Sequence, residues 1–184
     1  MNTSKITLII CMILVLQASR IYAQKLITNQ SDVSFFSEAP LENISAKSNE
    51  AKGILDQSTG EFLFRIPITS FHFENELMEE HFNENYMESD KYPLAIFKGK
   101  IDPETLKIGM RDMIANGILT IHGVDQECKI NVKTGKEGEN LLVECQFDVA
   151  LADHDIDVPT LLFQKIADTV SVSVNIHLIP LIRN

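Results

Sequence analysis

The residue types that can do chemistry are thinly spread along this chain. Five histidines stand at positions 72, 81, 122, 154 and 177, and none shows the close spacing of a metal cluster. The one dense group is Asp153-His154-Asp155-Ile156-Asp157, where carboxylates flank an imidazole. Such ligands suit a divalent cation, but neighbours within one loop seldom converge on one ion, so a solvated acidic turn is the plainer reading. No Gly-x-Ser-x-Gly, His-Glu-x-x-His or phosphate-loop pattern occurs. No catalytic residue, metal or cofactor is expected, and the chain does not read as an enzyme.

The cysteines carry a second chemical question. Residues 127–133 (ECKINVK) alternate with Cys128, Ile130 and Val132 on one face, and 141–149 (LLVECQFDV) place Leu141, Val143, Cys145, Phe147 and Val149 on one face. The polar segment 134–140 between them, with Gly135 and Gly138, reads as a turn. A symmetric hairpin would set Cys128 opposite Cys145 at about 4.5–5.5 Å, within reach of a disulfide. The alternative is two reduced thiols packed as small hydrophobes.

Whether a disulfide could persist depends on the compartment, and the N-terminus speaks to that. Lys5 precedes an apolar run of 11 residues at 6–16 (ITLIICMILVL), and Ile-Tyr-Ala ends at Ala23. Such a run spans only about 16 Å as a helix, too little for a hydrocarbon core of about 30 Å. The pattern predicts a signal peptide over 1–23, cleaved near Ala23, and a periplasmic or secreted product. A lipidated Cys11 is the competing reading, but Ile10 stands where a small residue is expected. Cleavage removes Lys5 and Arg20 and no acid, leaving 14 Lys+Arg against 26 Asp+Glu, a formal charge of −12. That surface repels phosphate backbones and anionic lipid headgroups, so a nucleic-acid partner is not expected. Residues 24–184 suffice for one domain, and none of its segments is long and apolar enough to span a bilayer.

The elements that must position any site are mostly strands. Period-two alternation runs through 61–70 and, at greatest length, through 168–180 (DTVSVSVNIHLIP). Further strand candidates are 25–37, 42–55, 93–101 and 112–122, making about eight with the two already described. In 61–70 the second face also carries Leu63 and Pro67, which predicts a covered outer face. One interval differs: 74–86 (ENELMEEHFNENY) sets Leu77, Met78, Phe82 and Tyr86 at helical spacing, with Glu74, Glu76, Glu79 and Glu80 as a solvated face. The fold class that follows is mainly β, an antiparallel barrel or sandwich with one inserted helical segment.

Two motifs carry a resemblance. Residues 71–101 (FHFENELMEEHFNENYMESDKYPLAIFKGKI) resemble the signature of the YceI-like family of secreted bacterial proteins through His81, Phe82, Tyr86, Lys91, Tyr92, Pro93, Ala95 and Phe97. Residues 117–124 (GILTIHGV) resemble that family's strand end. The resemblance covers most of 30–180 and implies an eight-stranded, lipocalin-like antiparallel barrel. It also implies an apolar lumen for polyisoprenoid or similar amphiphilic lipids, with His81, Phe82 and Tyr86 at the rim. Met78 stands where the family often has a basic residue, which removes the natural partner of a pyrophosphate headgroup.

Alternation then names the residues expected to face inward: Phe62, Phe64, Ile66, Ile68, Leu119, Ile121, Val143, Phe147, Val149, Val172, Val174 and Ile176. A register shift of one would turn any of them outward. The leading function is a non-enzymatic carrier of an isoprenoid-like lipid. A solidly packed barrel with a protein partner, or a small hydrolase or isomerase, are the alternatives.

Overall fold

Where alternation is strongest in the sequence, the backbone is extended. The computed structural model describes residues 25–38, 43–108, 112–157 and 167–182, so the signal-peptide reading of 1–23 lies outside the described residues. Among the described residues ten strands form: β1 (Lys25–Ser37), β2 (Ile44–Ser48), β3 (Lys52–Asp56), β4 (Glu61–Pro67), β5 (His72–Phe73), β6 (Leu94–Lys100), β7 (Asp112–Ile121), β8 (Val124–Glu137), β9 (Asn140–Ala150) and β10 (Thr169–Pro180).

Eight of them close a barrel. The circuit runs β1, β3, β4, β6, β7, β8, β9, β10 and back to β1, with every neighbour antiparallel. For these eight, closure removes the edges on which a sheet would aggregate. The segment 42–55 is not one strand but two. β3 pairs Lys25–Ile27 of β1, whereas β2 pairs the far half, Val33–Ser37, and carries β5 on its outer edge.

The helical period at 74–86 resolves into α1 (Glu76–His81) followed by a five-residue π-helix, Phe82–Tyr86. Asn75 caps α1 by accepting from the Leu77 amide at 3.0 Å. A second short helix, α2 (Pro103–Ile108), has no amphipathic signal long enough to read from sequence. Its Leu106 is buried with Leu26, Leu55, Met113, Leu141 and Leu178, closing the end of the barrel opposite α1.

Two expectations fail. The β8–β9 turn is only Gly138-Glu139, with Gly138 at φ 65, so 134–137 continue the strand instead of turning. Cys145 therefore faces Val132, not Cys128. An offset of four residues is roughly 13 Å along a strand, beyond the Cα separation of about 7 Å that a bridge tolerates. Both thiols are free. The outer face of β4 is also uncovered, since Leu63 is 43% exposed there.

Candidate ligand-binding site

Because side chains alternate, each barrel strand gives one face to the interior, and these faces surround a cavity of about 250 Å³. The structure places all twelve inward-assigned residues, from Phe62 to Ile176, around it. Along β10 the lining runs from Val170 through Val172, Val174 and Ile176 to Leu178, eight residues or about 27 Å of strand. The cavity is therefore long and slender, and its volume lies just below the roughly 300–1,000 Å³ of typical ligand sites.

Two glycines shape its width. A Cβ on Gly53 would stand 2.1 Å from Cδ1 of Phe64, and one on Gly117 would stand 2.8 Å from Cε2 of Phe97. Each ring occupies the space that a wall side chain would need, so both positions require glycine. Phe62 packs on Phe97 with ring centroids 4.9 Å apart.

At the α1 end the lining turns aromatic. Phe82, the first residue of the π-helix, stacks on Phe35 at 5.4 Å and meets Phe71 and Phe73 at 6.0 and 5.1 Å. The wider turn re-aims a side chain within a helix, and such turns recur at functional sites. Of the three residues expected at the rim, Phe82 lines the cavity. Tyr86 packs beside it against Ile68, Met87 and Ile156, and His81 lies half-buried at the end of α1. Glu79 is not simply a solvated acid. Its Oε2 accepts from the Phe73 amide at 3.0 Å and lies 3.6 Å from His72 Nδ1, tying α1 to β5.

Sequence reading passed over several lining residues. Val33 and Phe35 belong to β1, where a bulge breaks the alternation between Thr28 and Gln30. Phe71 follows a 3₁₀ turn, and Met87 and Ile156 sit in loops with no periodic signal. Phe97 lies in PLAIF, whose continuous apolar run hides its face.

His122 holds the same end together. Its Nδ1 donates to the His154 carbonyl at 3.1 Å, and its Nε2 lies 3.0 Å from Glu88 Oε2. Tyr92 packs edge-on against the ring at 4.5 Å. Among the described residues, the non-glycine positive-φ positions are Glu88, His122 and Asp155, at 42°, 52° and 53°. All three fall at this junction, where strain is tolerated because the contacts over-determine it. Next to them in sequence, Met87, Ile121 and Ile156 line the cavity. The Asp153–Asp157 group does not converge: His154 is buried with Nδ1 3.3 Å from the Val124 carbonyl, while its three aspartates are exposed. Loss of the ring in His122→Ala should cost about 2–3 kcal/mol in urea unfolding. His122→Gly should be about 1 kcal/mol less damaging than His122→Ala, because glycine accepts the left-handed backbone freely. Equal losses would show that the junction stores no backbone strain.

The lumen's polar content is small. Cys145 lines the cavity, and burial pushes its thiol up to about 11. Cys128 packs against the core and burial raises it too. The hydroxyl oxygens of Thr28 and Ser31 and the amide oxygen of Asn83 are shielded and have no hydrogen-bond partner in the protein. Each such orphan costs about 1–3 kcal/mol. Among the described residues, no three His, Cys, Asp or Glu side chains are grouped to hold a metal, and no helix is long and apolar enough to cross a membrane.

A long apolar lumen in an eight-stranded barrel matches what the two sequence motifs implied. The YceI-like domain model matches residues 25–178. The chain belongs to the YceI-like family. Solved structures share this YceI-like fold at low identity. A polyisoprenoid binding domain from Saccharophagus degradans, implicated in plant cell wall breakdown, superposes with a TM-score of 0.71 at 16% identity, covering 86% of this chain and 99% of that one. Burkholderia cenocepacia BcnA gives 0.64 at 17% identity, covering 80% and 94%. A Campylobacter jejuni YceI protein gives 0.55 at 17% identity, covering 76% and 82%. Comparison with curated proteins found no match.

Proposed function

We propose that this YceI-like barrel is a non-enzymatic carrier that holds an isoprenoid-like or other amphiphilic lipid in its lumen. The observation that carries this reading is the apolar cavity running about 27 Å along β10. Each 100 Å² of apolar surface removed from water contributes about 2.5 kcal/mol. Association itself costs roughly 4–15 kcal/mol, so useful affinity needs several hundred Å². A slender chain threaded along the lumen meets that need, whereas a compact polar metabolite does not. The polyisoprenoid binding domain of Saccharophagus degradans has the same fold, which supports the reading.

Catalysis finds little support in the lumen. Both thiols are pushed up by burial, the opposite of an activated nucleophile. We assign residues 1–23 as the leader that exports the protein to the periplasm or beyond, where lipids need carriers across water.

The test is to express the full chain with its leader, recover the exported protein, and analyse its organic extract by mass spectrometry. A hydrocarbon-rich species near one per protein, on a chain beginning at Gln24, is the expected result. An empty extract from a protein that also fails to take up added farnesol would refute the carrier.

A further inference from the structure

We infer that Thr28 and Ser31 form a polar anchor at the α2 end of the lumen, which selects a lipid with one uncharged hydrogen-bonding headgroup and seats it head first. This rests on the lumen being the binding site and goes beyond it by naming the ligand's chemistry and direction.

A bulge in β1 sets the direction of both hydroxyls. β1 pairs β10 residue for residue except at Asn29, where the register shifts between Thr28 and Gln30. Val33 and Phe35 line the cavity, so Ser31 shares their inward face. Without the extra residue, Thr28 would face outward; the bulge turns it in beside Leu26. Thr28 then stands opposite Leu178 and Ser31 opposite Ile176, both of which line the cavity.

Ser31 is 8% exposed, and neither hydroxyl has a hydrogen-bond partner in the protein. Two orphan hydroxyls on one strand, behind the apolar lining of the lumen, are costly features that no hydrogen bond within the protein offsets. A valine or alanine would pack there without that cost. A hydroxyl donates one hydrogen bond and accepts two, so the pair can serve an alcohol, a carbonyl or an amide on a ligand. They cannot neutralise a phosphate, and a buried charge without a partner is disfavoured. Neither hydroxyl is among the residues that line the cavity, so the anchor requires Ile176 or Leu178 to move aside for the headgroup, with the tail running toward Phe35 and Phe82.

Displacement of a fluorescent apolar dye by three probes with one tail tests this: farnesol, farnesene and farnesyl pyrophosphate. The parent should bind farnesol about tenfold tighter than farnesene, a difference of about 1.4 kcal/mol. It should also bind the pyrophosphate more weakly than the alcohol. In the double variant Thr28→Val, Ser31→Ala, the farnesol advantage should fall to within about twofold, with farnesene affinity unchanged as the control for an intact lumen. Thermal stability should hold or rise, since two orphan hydroxyls are gone. An advantage that survives in the variant overturns the anchor, because the headgroup is then recognised elsewhere. Equal binding of farnesol and farnesene by the parent also overturns it and leaves the carrier standing, with the hydroxyls serving a trapped water instead. If no probe binds, the carrier reading fails and takes the anchor with it.

Discussion

Val174→Asp should lower the affinity of an apolar lipid probe by about 100-fold at pH 8, roughly 2.7 kcal/mol. Val174 lines the cavity between Val33 and Cys145 in the register of β1, β10 and β9, so the new carboxylate would project into apolar surroundings. None of those inward neighbours carries a positive charge. An ionised group there costs several kcal/mol unless water follows it in, and water in the lumen competes with the lipid. Burial would raise the new carboxyl, because desolvation disfavours the charged form. Its penalty is thus present above the folded-state pKa and relieved as pH falls through it, so part of the binding should return near pH 5. Val174→Phe is the companion. In an open lumen it narrows the channel and favours shorter chains, whereas in a filled core overpacking costs about 1–3 kcal/mol with no change in ligand choice. If Val174→Asp folds and carries lipid as well as the parent, the lumen is not the binding site.

Such substitutions could be chosen from sequence because a closed barrel converts alternation directly into inside and outside. β10 shows this best: Val170, Val172, Val174 and Ile176 alternate with polar residues in the sequence and line the cavity in the structure. Alternation states parity but not register. That is why Cys128 and Cys145 both point inward yet sit four residues out of step, since the register is set by a two-residue turn hidden within the polar run 134–140. The same limit hid the bulge at Asn29, where a single extra residue reverses parity and brings Thr28 inside. Residues that line the cavity from loops, such as Met87 and Ile156, have no period at all. Their place is fixed by long-range contacts, through the His122 junction, that no local pattern records.

Cys145 offers a reading of the lumen from within, through the pH dependence of its alkylation. An ordinary thiol near 9.0 is about one-tenth ionised at pH 8, whereas one pushed up to about 11 is ionised only about one part in a thousand. The thiolate is the nucleophile, so Cys145 should react with iodoacetamide about 100-fold more slowly than a free thiol at pH 8. The rate should then climb about tenfold per pH unit and level off near 11. Measurement belongs in a Cys128→Ser background, because burial raises Cys128 as well. The same shift carries a stability consequence with a definite sign. Below the unfolded value near 9 both states hold the proton, and stability does not change with pH through this group. Between about 9 and 11 the unfolded chain releases its proton while the folded chain retains it, so the stability contributed by the buried neutral thiol is lost across that window. Loading the barrel with farnesol should slow alkylation further at every pH, because the lipid fills the space through which the reagent must approach. A rate at pH 8 equal to that of a free thiol would mean that Cys145 is not buried in the apolar lumen. Equal rates with and without lipid would place the bound chain away from Cys145, and hence away from the middle of β9 and its partners Val132 and Val174.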